Sequence, residues 1–267
     1  VNVFSESVFG ELEHVVRTLE SSGDRKPIVF RSAKPKGFIA GADLRWISEI
    51  QTMEQSTRLV EMGKQTFRNV EHSVRNTIAL IDGACLGGGL EFALACGWRV
   101  AVVRASTQLG LPESKLGLMP GWGGVQRIVD RIGITEGVRM LLTGDSVDAD
   151  RALHLGLVDA VFQPDEVDTQ LDAFLKSVSD LTTPSSRSDR EFDARSRQAW
   201  SELGLQLNDP KWTSAQRAVL VALDAGIMKS REVGWAVEET FFFPLLRTAE
   251  ARDAIARFCT PRSSHEA

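Results

Sequence analysis

Apolar residues at Val8, Leu12, Val15, Val16 and Leu19 recur at helical spacing, which predicts an amphipathic helix capped by Ser5 or Ser7 and closed near Gly23. Residues 27–32 form a short β-rich run, and a Lys/Gly/Pro loop then leads to Gly41. Helical patterns return at 43–50 and 53–73, followed by a buried-type strand at 77–82 and a glycine-rich turn at 83–89. A short apolar helix is expected at 90–97, a strand at 98–104, an extended piece at 107–112 and a loop at 113–124. Strands alternating with helices through glycine-rich turns predict an α/β core with largely parallel pairing. Beyond about residue 163 strand signals almost vanish and helical periodicity dominates. The polar stretch 182–190 reads as a solvated linker or loop, 211–258 as two or three helices, and 261–267 as a frayed tail.

Length and composition narrow this picture. With 267 residues the chain suits one large domain or two small ones and can bury a substantial core. At 43% hydrophobic and 25% charged residues it has the composition of a globular protein, not of a disordered or fibrous one. A net charge of −5 supplies no whole-chain attraction to nucleic acid or an anionic membrane, so an anionic ligand would need a local basic patch. Cys85, Cys96 and Cys259 show no C-x-x-C spacing, which argues against a disulfide framework or a zinc site and for a reducing compartment. The four histidines are dispersed without an H-E-x-x-H pattern, so no metal site is expected. No apolar run approaches the ~20 residues of a membrane span, and residues 1–4 do not read as a targeting peptide. The chain opens on Val1 and not on Met, so its natural start is expected to be trimmed or to lie upstream.

Three segments carry candidate chemistry. Gly83-Ala-Cys-Leu-Gly87-Gly88-Gly89-Leu-Glu91 follows a strand and opens an apolar helix. Glycines there bare backbone N–H groups at a helix N-terminus, a setting suited to developing negative charge. A packing turn with Glu91 as an ordinary first-turn carboxylate explains the same residues equally well. Pro112-Glu113 through Gly124 places a second carboxylate ahead of Gly117, Gly121, Gly123 and Gly124, in the kind of loop where sites gather. Its Gly121-x-Gly123-x-x-Gln126 lacks the third glycine of a dinucleotide fingerprint. The third segment, from Lys34 to Trp46, sets Ala40, Gly41 and Ala42 ahead of a helix capped by Asp43, with Lys34, Lys36 and Arg45 as local positive charge. A capped helix with solvated lysines accounts for that segment as simply.

In this order the three motifs resemble the crotonase superfamily, also called the enoyl-CoA hydratase/isomerase family. Gly41-Ala42-Asp43, Leu86-Gly-Gly-Gly89-Leu-Glu91 and Pro112-Glu113 through Gly124 carry the likeness, joined by Leu142-Thr-Gly144 and 152–159. The C-terminal part looks most like the hydratase portion of multifunctional fatty-acid oxidation proteins. The resemblance implies a crotonase-like ββα superhelical core over 1–163 and a C-terminal helical region over 164–267 that covers the same site. The family pattern begins with two further strands ahead of Val1-Asn2-Val3, and the stretch between Glu91 and Glu113 is about two residues longer than usual, near 104–106. A dehydrogenase half is not present in the sequence.

By the same resemblance the backbone N–H groups of Ala42 and Gly88 form an oxyanion hole for the thioester carbonyl. Glu91 orients and deprotonates water, and Glu113 protonates C2. Ala40, Gly41, Asp43, Leu44 and Arg45 line the coenzyme A end, and Gly121 offers a further N–H. Trp46, Leu90 and Trp122 either border the acyl pocket or simply pack the core. The implied activity is hydration of trans-2-enoyl-CoA to 3-hydroxyacyl-CoA in β-oxidation, with isomerisation as a side activity. No cofactor is expected beyond the CoA of the substrate. Alternatives are a crotonase-fold isomerase or hydrolase, and a non-catalytic acyl-CoA-binding module of an oxidation complex. A homotrimer or hexamer, or packing on other domains of such a complex, is implied. So is a bacterial cytoplasmic location, or a mitochondrial or peroxisomal matrix.

Overall fold

The computed structural model describes residues 1–34, 37–179 and 192–260. Lys36 and the stretches expected to be a linker (182–190) and a frayed tail (261–267) lie outside the described residues. The chain opens with helix α1 (Glu6–Ser21), capped as anticipated by Ser5, whose hydroxyl accepts the Val8 N–H. Strand β1 (Ile28–Arg31) follows, then the short helix α2 (Leu44–Ser48) and the long helix α3 (Met53–Glu71). Thr52 and Gln55 cap α3 reciprocally, satisfying N–H groups that a bare helix end leaves open.

Strands β2 (Thr77–Ile81), β4 (Trp98–Val102) and β7 (Ala160–Phe162) join β1 in a wholly parallel sheet of order β1-β2-β4-β7. Its register pairs Ile28 with Thr77, Ile78 with Trp98 and Val100 with Ala160. Every residue of β2 is buried, as expected of a parallel strand covered on both faces. Ala79, Ile81 and Ala101 face the main core, while Ile78, Leu80, Val100 and Val102 pack with Phe162 and Leu171 under helix α8 (Val167–Ser179). Asp159 joins β4 to the segment leading into β7 by accepting from the backbone and guanidinium of Arg99 and from the guanidinium of Arg131.

A second, smaller sheet positions the loops. Strand β3 (Cys85–Leu86) pairs parallel with β5 (Leu109–Gly110), which pairs antiparallel with β6 (Ser146–Val147). Isolated bridges at Ile39–Cys85 and Phe4–Ala42 attach the 37–43 loop to this sheet and to the N-terminal segment. Helix α4 (Gly88–Ala95) begins two residues earlier than the apolar pattern suggests, because the Gly-rich turn itself enters the helix. The expected loop at 113–124 contains a 3-10 turn, Pro112–Leu116, where Pro112 starts the turn and Gly117 ends it in the left-handed region. Helices α5 (Gly124–Ile132), α6 (Ile134–Thr143) and α7 (Ala149–His154) fill the interval before β7.

The regular elements among the described residues beyond β7 are helices: α8, α9 (Ala194–Glu202), α10 (Ser214–Met228), α11 (Arg231–Leu246) and α12 (Ala249–Cys259). Helices α10 and α11 pack against each other, and α12 lies against α2 and the 3-10 turn. Phe4, Phe9, Phe67, Phe92 and Trp122 form an aromatic cluster with centroid spacings of 4.9–5.8 Å, within the range of favourable ring pairs. Among the described residues no helix is long and apolar enough to cross a membrane.

Candidate active site

Two loops meet at the edge of the small sheet. The Ala40 N–H donates to Asn2 O at 2.9 Å, and Asp43 N–H donates to Phe4 O at 2.8 Å, so the backbone from Ala40 to Asp43 is fixed on both sides of Ala42. Opposite it, Leu86 N–H donates to Ile39 O and Gly87 N–H to Gly110 O. A methyl group built on Gly41 would sit 3.7 Å from the Gly88 nitrogen, which measures how closely the loops approach. Gly87 turns the chain at φ +53°, and a side chain there would also strike Glu113 Oε1 at 2.8 Å. Among the described residues, no protein acceptor takes up the Ala42 or the Gly88 N–H. Two unengaged donors therefore lie on facing loops, the Gly88 donor at the positive end of α4.

Glu91 stands in the first turn of α4 and is 2% exposed. Its Oε1 accepts the Trp122 and Gly124 N–H groups, both at 2.8 Å, where the chain enters α5. Burial holds its carboxyl above the ordinary value, a rise that the Gly124 and Trp122 N–H groups, Arg127 and Lys64 limit. Glu113, in the 3-10 turn, has weaker support: its own backbone N–H lowers its carboxyl, but its Oε2 is out of contact with solvent and has no hydrogen-bond partner. Burial, reinforced by the charge of Glu91, drives its carboxyl well above the ordinary range. Two carboxyl groups with unlike surroundings divide a proton between them. Each N–H bond to Glu91 favours its ionised form and none reaches Oε2 of Glu113, so the surroundings favour Glu113 as the holder of the shared proton.

A cavity of about 620 Å³ opens in front of both carboxyls. Ala40, Gly41, Ala42, Asp43, Leu44, Arg45, Gly88, Glu91, Glu113 and Gly121 all line it. Asp43 caps α2 through the Arg45 N–H at 2.9 Å, which sets Leu44 and Arg45 on the first helical turn at the cavity wall. Of the three residues left between pocket and core, Trp122 lines the cavity and donates its indole N–H to Leu59 O. Leu90 is fully buried in the core, and Trp46 packs on Phe9. Lys34 reaches the Val1 carbonyl at 2.9 Å and lines a neighbouring groove instead.

Other contributors had no signature in the chain. The N–H groups of Trp122 and Gly124 are main-chain donors, visible beforehand only as a run of small residues. Phe242, Phe258 and Cys259 bring α11 and α12 to the cavity wall, from positions whose periodicity marks them simply as helix. The spacing of Glu71 and Arg127, 56 residues apart, gave no hint of the buried ion pair they form at 2.9 Å.

The family model described as enoyl-CoA hydratase/isomerase matches residues 1–198. The fatty acid oxidation complex subunit alpha of Idiomarina loihiensis is 34% identical over 262 residues, covering 94% of this chain and 36% of that protein. The chain thus spans about a third of that relative's length. Among solved structures, an enoyl-CoA hydratase from Bacillus anthracis superposes with a TM-score of 0.62 at 25% identity, over 99% of this chain and 91% of the other. An enoyl-CoA hydratase from Bacillus halodurans reaches a TM-score of 0.68 at 19% identity, over 94% and 89% of the two chains, a likeness of fold alone.

Proposed function

Since the chain belongs to the enoyl-CoA hydratase/isomerase family, with its crotonase fold, we propose that it hydrates trans-2-enoyl-CoA to 3-hydroxyacyl-CoA. The observation carrying this reading is the unlike pair at the cavity: Glu91 clamped by two N–H groups, and Glu113 with a buried, unpartnered oxygen. In this reading the thioester carbonyl accepts from Ala42 and Gly88 N–H, which hold the negative charge that develops on oxygen as C3 is attacked. Losing one such donor costs about 3–4 kcal/mol of transition-state stabilisation. Glu91 takes a proton from a water as its oxygen bonds to C3, and Glu113 delivers its proton to C2. The proton then returns from Glu91 to Glu113, restoring the pair. No cofactor enters beyond the CoA carried by the substrate.

The coenzyme A portion lies along Ala40–Arg45, with Asp43 and Leu44 shaping the wall and Arg45 supplying charge, and Gly121 adds an N–H beside the carboxyls. The same acid and base can move a cis-3 double bond to trans-2, giving an isomerase side activity. The relative's name supports a place in fatty-acid oxidation, with packing on other parts of a complex; self-assembly into trimers or hexamers is the alternative.

The deciding assay follows loss of the conjugated-thioester absorbance of crotonyl-CoA. Glu91→Gln and Glu113→Gln are each expected to lower kcat by about 10²–10⁴-fold, the usual range for a lost acid or base. Unchanged turnover in either variant refutes the two-carboxylate mechanism. Tight CoA binding without turnover by the parent chain would identify a binding module instead.

A further inference from the structure

Behind Glu91, on the side away from the cavity, lies a layer of buried charge that the reaction described above does not use. Arg127, on α5, is 5% exposed. Its Nη1 donates to the Trp122 carbonyl at 2.7 Å and its Nη2 to Glu71 Oε2 at 2.9 Å. Its guanidinium also lies over the Trp235 ring, 5.4 Å from the centroid. Trp122 is therefore held at both ends: its N–H donates to Glu91, and its C=O accepts from Arg127. The Trp122–Gly124 backbone is thus sandwiched between a carboxylate and a guanidinium.

Resting on the hydratase reading, we propose that Arg127 is a positioning residue for Glu91: it fixes the backbone that aims Glu91, and Glu71 sets how much positive charge reaches that carboxylate. The ion pair is almost dry, with Arg127 and Glu71 side chains 4% and 8% exposed, so little solvent screens it. The charged and titratable groups around Glu91 are Arg127 on α5, Lys64 on α3, Glu113 on the 3-10 turn and Glu238 on α11, and Glu71 on α3 faces Arg127. Burial opposes the charge on Arg127, but Glu71, joined by Glu91 and Glu238, outweighs it and keeps the guanidinium cationic. Arg127 thus favours ionised Glu91 by its charge and by the N–H donors it holds in place.

Two partners of one ion pair should then act in opposite directions on the acidic limb of the pH–rate profile, where Glu91 gains its proton. Glu71→Gln keeps an acceptor for Arg127 but removes the compensating negative charge. The limb moves to lower pH by roughly half to one unit, a fraction of what a close opposite charge can do. Arg127→Met combined with Glu71→Gln removes the guanidinium without stranding a buried carboxylate. The limb then moves up by about one to two units and kcat falls at least about tenfold, with KM little changed. Arg127→Lys retains charge but not the two-pronged contact, so kcat falls while the limb stays near its original position.

The titration of Glu91 is also read without turnover, by ¹³C NMR of δ-carboxyl-labelled glutamate, its resonance assigned from the Glu91→Gln spectrum. Opposite shifts for Glu71→Gln and the double variant support the proposal. Shifts in the same direction, or an unmoved limb with only a lowered melting temperature, overturn it. If the double variant does not fold, Glu71→Gln alone decides. A parent chain inert towards crotonyl-CoA would sink the hydratase reading, and the NMR titration would still test Arg127.

Discussion

Gly124 offers a sharp test of the clamp on Glu91, because general helix physics and the site geometry predict opposite signs for one substitution. Gly124 opens α5, and its φ is not in the left-handed region, so Gly124→Ala is compatible with the backbone. Intrinsic propensity alone would make it stabilising by up to about 1 kcal/mol. The new methyl, however, would stand 2.6 Å from Glu91 Cγ and 2.9 Å from Oε1. Glu91 is 2% exposed and Oε1 is the atom bonded to Gly124 N–H, so giving way to the methyl lengthens or breaks that bond. A hydrogen bond to a charged acceptor contributes about 1.5–3 kcal/mol, which corresponds to roughly one to two pH units on the Glu91 carboxyl. The acidic limb of crotonyl-CoA hydration is expected to move up by that amount, with kcat at pH 7 reduced about 10- to 100-fold. The assay is a pH–rate profile together with a thermal melt, which separates a lost base from a lost fold. A well-folded Gly124→Ala protein retaining more than half its activity, with the limb unmoved, would refute the reasoning.

Two further outcomes concern stability. Glu238 is fully buried on α11, and burial, reinforced by Glu91 and only partly offset by Lys64 and Arg127, lifts its carboxyl from 4.5 to about 8. The folded chain therefore binds a proton that the unfolded chain has released between those values, so stability should fall as pH rises from about 4.5 to 8, by up to roughly 5 kcal/mol. Glu238→Gln should flatten that decline in urea titrations at pH 5, 7 and 9, and an unchanged slope would contradict the assignment. Asp159→Asn deprives the buried Arg99 and the part-buried Arg131 of their shared carboxylate, and breaking a buried pair costs up to about 3–5 kcal/mol. Chemical denaturation should show that loss, and a change below about 1 kcal/mol would indicate that other acceptors compensate.

How far the site could be read from the chain depended on whether its chemistry resides in side chains or in the backbone. Glu91 and Glu113 are side-chain acids beside glycine loops, and both line the cavity. The capping role of Asp43 was likewise local and legible, because a short acceptor before an apolar pattern has few other uses. By contrast, the N–H groups of Trp122 and Gly124 belong to whatever residue occupies the position, so composition cannot announce them. The parallel sheet was readable because β2 runs apolar from Ile78 to Ile81, as expected of a strand covered on both faces. Strand β6 was not, since two residues pairing at the edge of a small sheet leave no period to detect. Phe242 and Phe258 read as helical positions, and only the packing of α11 and α12 brings them to the cavity.

The cavity wall runs from Val1 and Val3 through the loops near residues 41, 87 and 113 to Phe258 and Cys259. No short contiguous fragment holds the whole of that wall. Kinetically, a surface assembled from contacts of such large sequence separation forms late, after the costly loop closures have been made. Any ligand that fills it is therefore bound by the whole folded chain at once. Saturation should slow hydrogen exchange well beyond the contact residues, into α12 and the N-terminal segment together, because opening either end dismantles the binding surface.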